Sequence, residues 1–329
     1  MNASYIKNII IKNMIKIIKK KNINGLLLID KSIGFTSNKI LQRIKFIFKV
    51  KKAGHTGTLD PLASGLLPIC LGECTKFSSY LINADKIYIV TALLGEKTDT
   101  ADKDGMLIKK TDVNISKIEV MKVLQLFHGR INQIPPMYSA IKYKGTPLYK
   151  YARLGINFSY LKKRKITIYQ IKLLAFDKNK IKLKIYCSKG TYIRSIIDEL
   201  GDKLNCGAHI IKLRRLKISH ISVFNKNVIT LEQLKFLIKN YQNNQLNISL
   251  IYKLLLPIDY MISNLPKLYL SYRVIYTIKC GQKVKIKKIF IITQTIFRIF
   301  EFNSLKFVGI CIIDKTGYII KHKLVNYVI

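Results

Sequence analysis

Gly54-His55-Thr56-Gly57-Thr58-Leu59-Asp60-Pro61-Leu62-Ala63-Ser64-Gly65 is the stretch on which the reading of this chain turns. It crowds an imidazole, a carboxylate, two threonine hydroxyls and three glycines into a segment with little apolar content before Leu62. Glycines let a backbone approach a ligand closely, and a carboxylate followed by proline is held at a stiff corner. Taken alone, Asp60-Pro61 reads as a helix start, Asp60 capping and Pro61 opening a short helix through Leu67. A cap has no need of the glycine-rich, His-containing approach, and that approach points to a functional loop centred on Asp60.

Working outward, Cys187-Ser188-Lys189-Gly190-Thr191-Tyr192-Ile193-Arg194-Ser195 places a glycine and an arginine at a predicted strand-to-helix junction. Arg194 emerging there can pair with Asp60, keeping it ionised and oriented; the plainer alternative is a surface arginine in a first helical turn. The apolar run Gly25–Ile29 predicts a buried strand. Thr36 or Ser37 caps a helix with Ile40, Leu41, Ile44 and Phe48 on one face. Strands are expected at 86–94, 166–175 and 181–187. Helices are expected from Ser116 to near Gly129, from Tyr192 to Leu204, after Thr230 and at 249–256. Pro257 and Pro266 bracket a boundary, and the short β-rich runs beyond it suggest a small all-β domain. The run Asp99–Gly105 glances at a calcium loop, but Thr100 and Thr111 stand where the first and last carboxylates belong, so it reads as a solvated turn. Lone Tyr88 on a strand reads as core, and Lys76 as solvent-facing.

The 58 Lys and Arg against 18 Asp and Glu leave a formal charge of +40, which favours a polyanionic partner. Lys, Ile and Asn dominate throughout, so part of that excess reflects compositional bias; the sign of the partner survives the discount. Residues 130–155 interleave Arg130, Tyr138, Lys142, Tyr143, Tyr149, Tyr151 and Arg153 in a proline-containing stretch. That texture suits an irregular RNA, aromatics stacking on bases while cations meet phosphates. The alternative is a strand pair and helix whose tyrosines half-bury. Six scattered cysteines without a Cys-x-x-Cys pair argue against zinc and for reduced core thiols in a cytoplasmic protein. No apolar run reaches the roughly 18–20 residues of a membrane span. Residues 1–21 form a basic extension with helical apolar spacing, read as a dispensable tail or as a start placed ahead of a true initiator at Met14.

Several motifs in order resemble the bacterial tRNA pseudouridine-55 synthase family. They are Asp30-Lys31-Ser32 with Gly34, Thr36 and Ser37; the Asp60 loop through Gly72-Glu73 and Thr75-Lys76-Phe77; Asp85-Lys86 with Tyr88; Gly95 to Asp99; Pro135 to Lys142; Cys187 to Arg194; and Gly207-Ala208-His209 to Leu216. The resemblance implies an α+β pseudouridine synthase fold, a largely antiparallel mixed sheet flanked by helices. It divides the chain into a catalytic domain over 22–260, with 130–155 as an RNA-clamping insertion, and a small β-rich PUA-like domain over 265–329. It implies Asp60 as nucleophile, Arg194 as its salt-bridge partner and Tyr88 packing on the target base. Tyr192 and Leu213 complete the pocket, His55 holds the rearranged loop, and Lys76 joins the substrate-binding set. No cofactor or metal is expected, because pseudouridine is an isomer of uridine. The partner is tRNA, through its T-arm and elbow, without a guide RNA or an obligate protein.

Two other readings compete. A guide-RNA-dependent pseudouridylase shares the catalytic loop but works with partner proteins. An RNA-binding or folding protein handles tRNA without chemistry. The residues leave open whether the aspartate attacks C6, attacks C1′ or starts an elimination.

Overall fold

The computed structural model describes residues 23–156, 158, 161–242, 249–286 and 295–326. The 1–21 extension lies outside them. The strands, in chain order, begin with β1 (Gly25–Lys31), β2 (Ala53–His55), β3 (Ala63–Leu71) and β4 (Lys86–Leu94). Two small hairpins follow, β5 (Glu96–Thr98) with β6 (Leu107–Lys110), and β8 (Lys142–Tyr143) with β9 (Thr146–Pro147), on either side of β7 (Gly129–Gln133). Then come β10 (Arg164–Asp177), β11 (Lys180–Cys187), β12 (Ala208–Ile218), β13 (Ile221–Ser222) and β14 (Val228–Thr230). A ten-stranded sheet runs β14-β1-β3-β12-β4-β11-β10-β7, with β2 added on β3 and β13 on β12. Only the β1/β14 and β3/β12 pairs are parallel, so the sheet is mixed and largely antiparallel.

β1 explains its own uninterrupted apolar run, because both its faces are covered. Leu27 and Ile29 enter a core shared with five helices: α1 (Ser37–Phe48), α3 (Lys117–Gln125), α5 (Ile193–Lys203), α6 (Leu231–Gln242) and, through Ile251, α7 (Ser249–Lys253). Between α1 and α3 lies the short α2 (Ser78–Ile82), and α4 (Leu148–Arg153) precedes α5. Leu26 and Leu28 face the other way, into a second core that includes Phe77, Ile258, Phe300 and Phe307. The helices start where short polar side chains satisfy orphan amides. Thr36 accepts from the Lys39 amide, and Ser116 forms a reciprocal capping box with Glu119. Thr230 and Gln233 make the same exchange before α6.

A second sheet, β15 (Lys267–Leu270), β16 (Thr295–Glu301), β17 (Phe307–Ile313) and β18 (Ile319–Leu324), follows α7 (Ser249–Lys253). It is not purely β. Helix α8 (Tyr272–Lys279) packs Ile275 and Ile278 onto Leu268, Ile299 and Cys311, because apolar residues three apart form a helical stripe inside what reads as a strand-rich stretch.

Three other expectations need correction. Pro61 opens no helix: Ala63–Leu71 is a central strand, buried at nearly every position, and sheet pairing on both sides overrides the local cap signal. The predicted helix toward Gly129 ends at Gln125. Cys280 is exposed, since it follows α8 in place of facing a core; all six cysteines are free.

Candidate active site

The loop that carries Asp60 leaves β2 and enters β3, and three buried side chains hold its backbone. Ser37, the first residue of α1, accepts from the Leu59 amide at 2.8 Å and donates to the Leu59 carbonyl at 3.0 Å. Lys31, fully buried at the end of β1, donates to the carbonyls of Ser32, Phe35 and Pro61. Arg215, also buried, donates to the carbonyls of Gly57 and Leu66 at 3.0 and 2.8 Å. Gly57 and Gly65 both adopt positive φ. At Gly65 any side chain would meet the Arg215 backbone, so the close β3–β12 pairing requires glycine there.

Arg194 stands in the first turn of α5 and is buried, not a surface arginine. Its Nε lies 3.0 Å from Asp60 Oδ2. Nη1 donates to the Thr100 carbonyl at 3.2 Å, and Nη2 to the Tyr138 carbonyl at 2.8 Å. One guanidinium thus joins the Asp60 loop, the 99–105 turn and the 130–155 segment. That turn is not simply solvated: Asp102 is buried, its Oδ2 3.8 Å from Arg194 Nη1. Asp102 Oδ1 accepts from the Thr100 hydroxyl and the Asp104 amide. The reason is the sharp turn at Ala101, φ 58°, which folds Asp102 inward while Asp99 stays outside.

Burial raises the Asp60 carboxyl above its ordinary 3.8; Arg194 pulls it down, Asp102 pushes it further up, and Lys31 lowers it. The expectation that pairing alone would hold it anionic therefore misses the larger effect, desolvation. Lys31 is itself pushed down to about 8, first by burial, with Asp60 opposing. Tyr88 and Leu213 sit on the same buried face of the sheet, Tyr88 opposite Arg215 and Leu213 opposite Val90. Burial raises the Tyr88 phenol, and the Arg215 guanidinium works against that rise. Tyr192 precedes α5 with its backbone amide and carbonyl both bonded to Gln133, at 2.8 and 3.0 Å. Burial raises its phenol too. His55 is half-buried at the end of β2; burial and then Arg215 lower it below 6.5, and its Nδ1 finds no hydrogen-bond partner among the described residues.

Lys76 is not brought into this cluster. Its ammonium is 2.6 Å from Glu73 and 2.9 Å from the Leu324 carbonyl, at the seam with the second sheet. Three residues at the cluster were not singled out from sequence: Lys31, Asp102 and Arg215. Arg215 gave no clear sequence signal, because its place opposite Tyr88 depends on a β4–β12 register that carries irregularities at Ile210/Lys212 and Arg215/Lys217. Asp102 gave none short of the turn's conformation. No His, Cys, Asp and Glu group among the described residues could hold a metal ion.

Residues 45–193 match the family described as TruB family pseudouridylate synthase, N-terminal domain, and 194–263 match the tRNA pseudouridylate synthase B C-terminal domain. The chain belongs to the TruB family. A TruB relative named tRNA pseudouridine synthase B, from Buchnera aphidicola subsp. Schizaphis graminum, is 47% identical across 94% of this chain and 97% of its own length. Another of that name, from Photorhabdus laumondii, is 44% identical across 93% of this chain and 96% of its own. Among solved structures, a chain of a Cbf5–Nop10–Gar1 complex superposes with a TM-score of 0.68 at 23% identity, covering 92% of this chain and 84% of that one. An H/ACA ribonucleoprotein bound to a substrate RNA gives 0.67 at 21% identity, covering 93% and 85%. At that identity the likeness is one of fold, and this chain has the pseudouridine synthase fold. No helix among the described residues is long and apolar enough to cross a membrane.

Proposed function

We propose that this TruB-family chain is a stand-alone tRNA pseudouridine-55 synthase, with Asp60 as the catalytic carboxylate. The observation that carries the reading is the Asp60–Arg194 ion pair at 3.0 Å, on a loop locked by Ser37, Lys31 and Arg215. The reaction breaks the N1–C1′ bond of a uridine, turns the base and joins C5 to C1′; the C5 proton leaves and N1 gains one. No electrons or energy source are exchanged. The protein must supply a carboxylate, a lined space for the turning base and exclusion of water.

The residues divide those tasks. Arg194 orients Asp60 and balances its charge, with Asp102 holding Arg194 from the other side. Tyr88 and Leu213 line the base site, Tyr88 stacking near C5. Tyr192 closes the pocket beside Arg194. His55, held neutral by burial, packs on the displaced loop. Lys76 serves the seam with 265–329, proposed as a PUA-like RNA-binding unit.

The target base must be extruded from a folded loop, which costs a few kcal/mol of stacking and pairing. Residues 130–155 are suited to gripping the T-arm. Tyr143, Tyr151 and Phe158 form an aromatic cluster, and Arg153 and Lys144 lie over Tyr149 and Tyr143. Guide independence rests on the near full-length likeness to relatives named tRNA pseudouridine synthase B. Buried free thiols suit a cytoplasmic setting. A T-arm hairpin carrying tritium at uridine C5 tests the chemistry: the protein alone should release tritium to water, and Asp60→Ala should release none while still binding. Release undiminished in Asp60→Ala would refute the assignment.

A further inference from the structure

The large sheet has a second face, turned away from Tyr88 and Leu213; over β10, β11 and β4 that face is open, whereas the end of β12, at Leu216 and Ile218, is covered by the second core. Lys180, Lys182 and Lys184 alternate along β11 and share it with Lys172 of β10, which lies opposite Lys184. On the far side of β4, Lys212 lies in register with Thr91 and Lys217 with Ile87. β4 itself contributes only Ile87, Ile89, Thr91 and Leu93 to this face, all half-buried and uncharged. Lysines therefore flank an uncharged strip on two sides, roughly 10 Å apart; those of β11 repeat every ~7 Å, while Lys212 and Lys217 stand roughly 13 Å apart with the Asp30-paired Arg214 between them. None of these six lysines is in an ion pair among the described residues. The acids on this face are Asp30, bound to Arg214; Asp177, at the far turn; and Asp85.

Asp85 lies in a recess of about 420 Å³ at the foot of the strip, lined by Asn83, Ile87, Tyr186, Lys217 and Ser219. Tyr186 and Tyr169 are both exposed there, ring centroids 4.7 Å apart, and the Tyr169 hydroxyl donates to Asp85 at 3.3 Å. A flat ring, a carboxylate acceptor and a hydroxyl around a recess of that size suit a nucleobase, while the flanking lysines suit phosphates.

We propose that this reverse face binds a single-stranded RNA segment distinct from the one at Asp60, the flanking lysines contacting its phosphates and Tyr186 stacking a base. The carboxylate of Asp85 accepts from an exocyclic amine, so the recess favours cytosine or adenine over uracil. This binding is separate from the proposed activity, although the control below uses that activity.

The test is titration of a labelled twelve-nucleotide oligocytidylate, and of its oligouridylate counterpart, over a range of salt. The wild type should bind the first more tightly. Replacing Lys172, Lys182 and Lys212 together by Gln should flatten the salt slope by about 2, at roughly 0.7 per phosphate contact. Replacing them by Arg should preserve it. Tyr186→Ala should weaken binding roughly tenfold. T-arm hairpin conversion should be unchanged in all three. An unchanged slope in the Gln variant, no oligonucleotide binding by the wild type, or hairpin conversion falling in step would overturn the proposal. A wild type that binds the oligonucleotide but converts no hairpin would instead refute the activity and leave the reverse face standing.

Discussion

At the scale of single residues, the site is an arginine shared between two carboxylates. Asp60 and Arg194 were legible in the sequence because glycines and an arginine sit where neither a cap nor a helix needs them. Asp102 was not, since its burial depends on the left-handed turn at Ala101. Asp102 also raises the Asp60 carboxyl, by like-charge repulsion. Asp102→Asn should therefore move the acid limb of kcat/KM to lower pH, and lower kcat by loosening Arg194, with KM for tRNA nearly unchanged. A pH–rate profile checks this, and an unmoved limb would contradict it. The stability consequence has a definite sign. Asp60 is raised in the folded state, so the stability it contributes is fully present below its unfolded value of 3.8. That contribution is lost as pH rises through its folded value. Ionised Asp60 therefore costs stability at neutral pH. Asp60→Asn should melt no lower than wild type at pH 7, read by thermal unfolding.

At the scale of elements, the Asp60 loop owes its shape to groups distant in sequence. Ser37 looked like one of two candidate caps for α1; Thr36 does the capping, and Ser37 is released to bind both backbone groups of Leu59. Ser37→Ala would leave a buried amide and carbonyl unpaired, at about 1–3 kcal/mol. A lowered denaturation midpoint with a matching loss of kcat is the expected result; full activity would mean the loop holds itself. The continuous apolar run of β1 and the periodic patterns of β4, α1 and α5 were readable directly. The error at Pro61–Leu67 has a physical origin. Asp-Pro before leucines is locally a helix start, and only sheet pairing with β1 on one side and β12 on the other makes it a strand. α8 was missed for a related reason, because its Ile275 and Ile278 stripe is short and set among β-formers.

At the scale of the whole molecule, the second sheet is fastened to the first by more than apolar contact. Phe77 meets Phe307 edge-on at 5.6 Å within the shared core. Nearby, Lys76 and Glu73 bond the backbone of Leu324 and Asn326. Arg298 of β16 is buried and spans Asp259 at 2.9 Å and the carbonyls of Ser263 and Leu265. Asp259→Ala would strand that guanidinium, at about 3–5 kcal/mol. Limited proteolysis should then release the C-terminal sheet well before wild type does; unchanged resistance would show the apolar seam suffices. None of this seam was legible in the sequence, since its partners lie up to 253 residues apart. The +40 charge gave only the sign of the partner.

The central claim is that one locked carboxylate isomerises one uridine of tRNA without a guide. Single-site pseudouridine mapping on an unmodified tRNA transcript, incubated with this protein alone and beside it with Asp60→Ala, tests it most directly. One modified uridine in the T-loop, absent with the variant, is the predicted result. An unmodified transcript despite tight binding, or modification that survives Asp60→Ala, would contradict it.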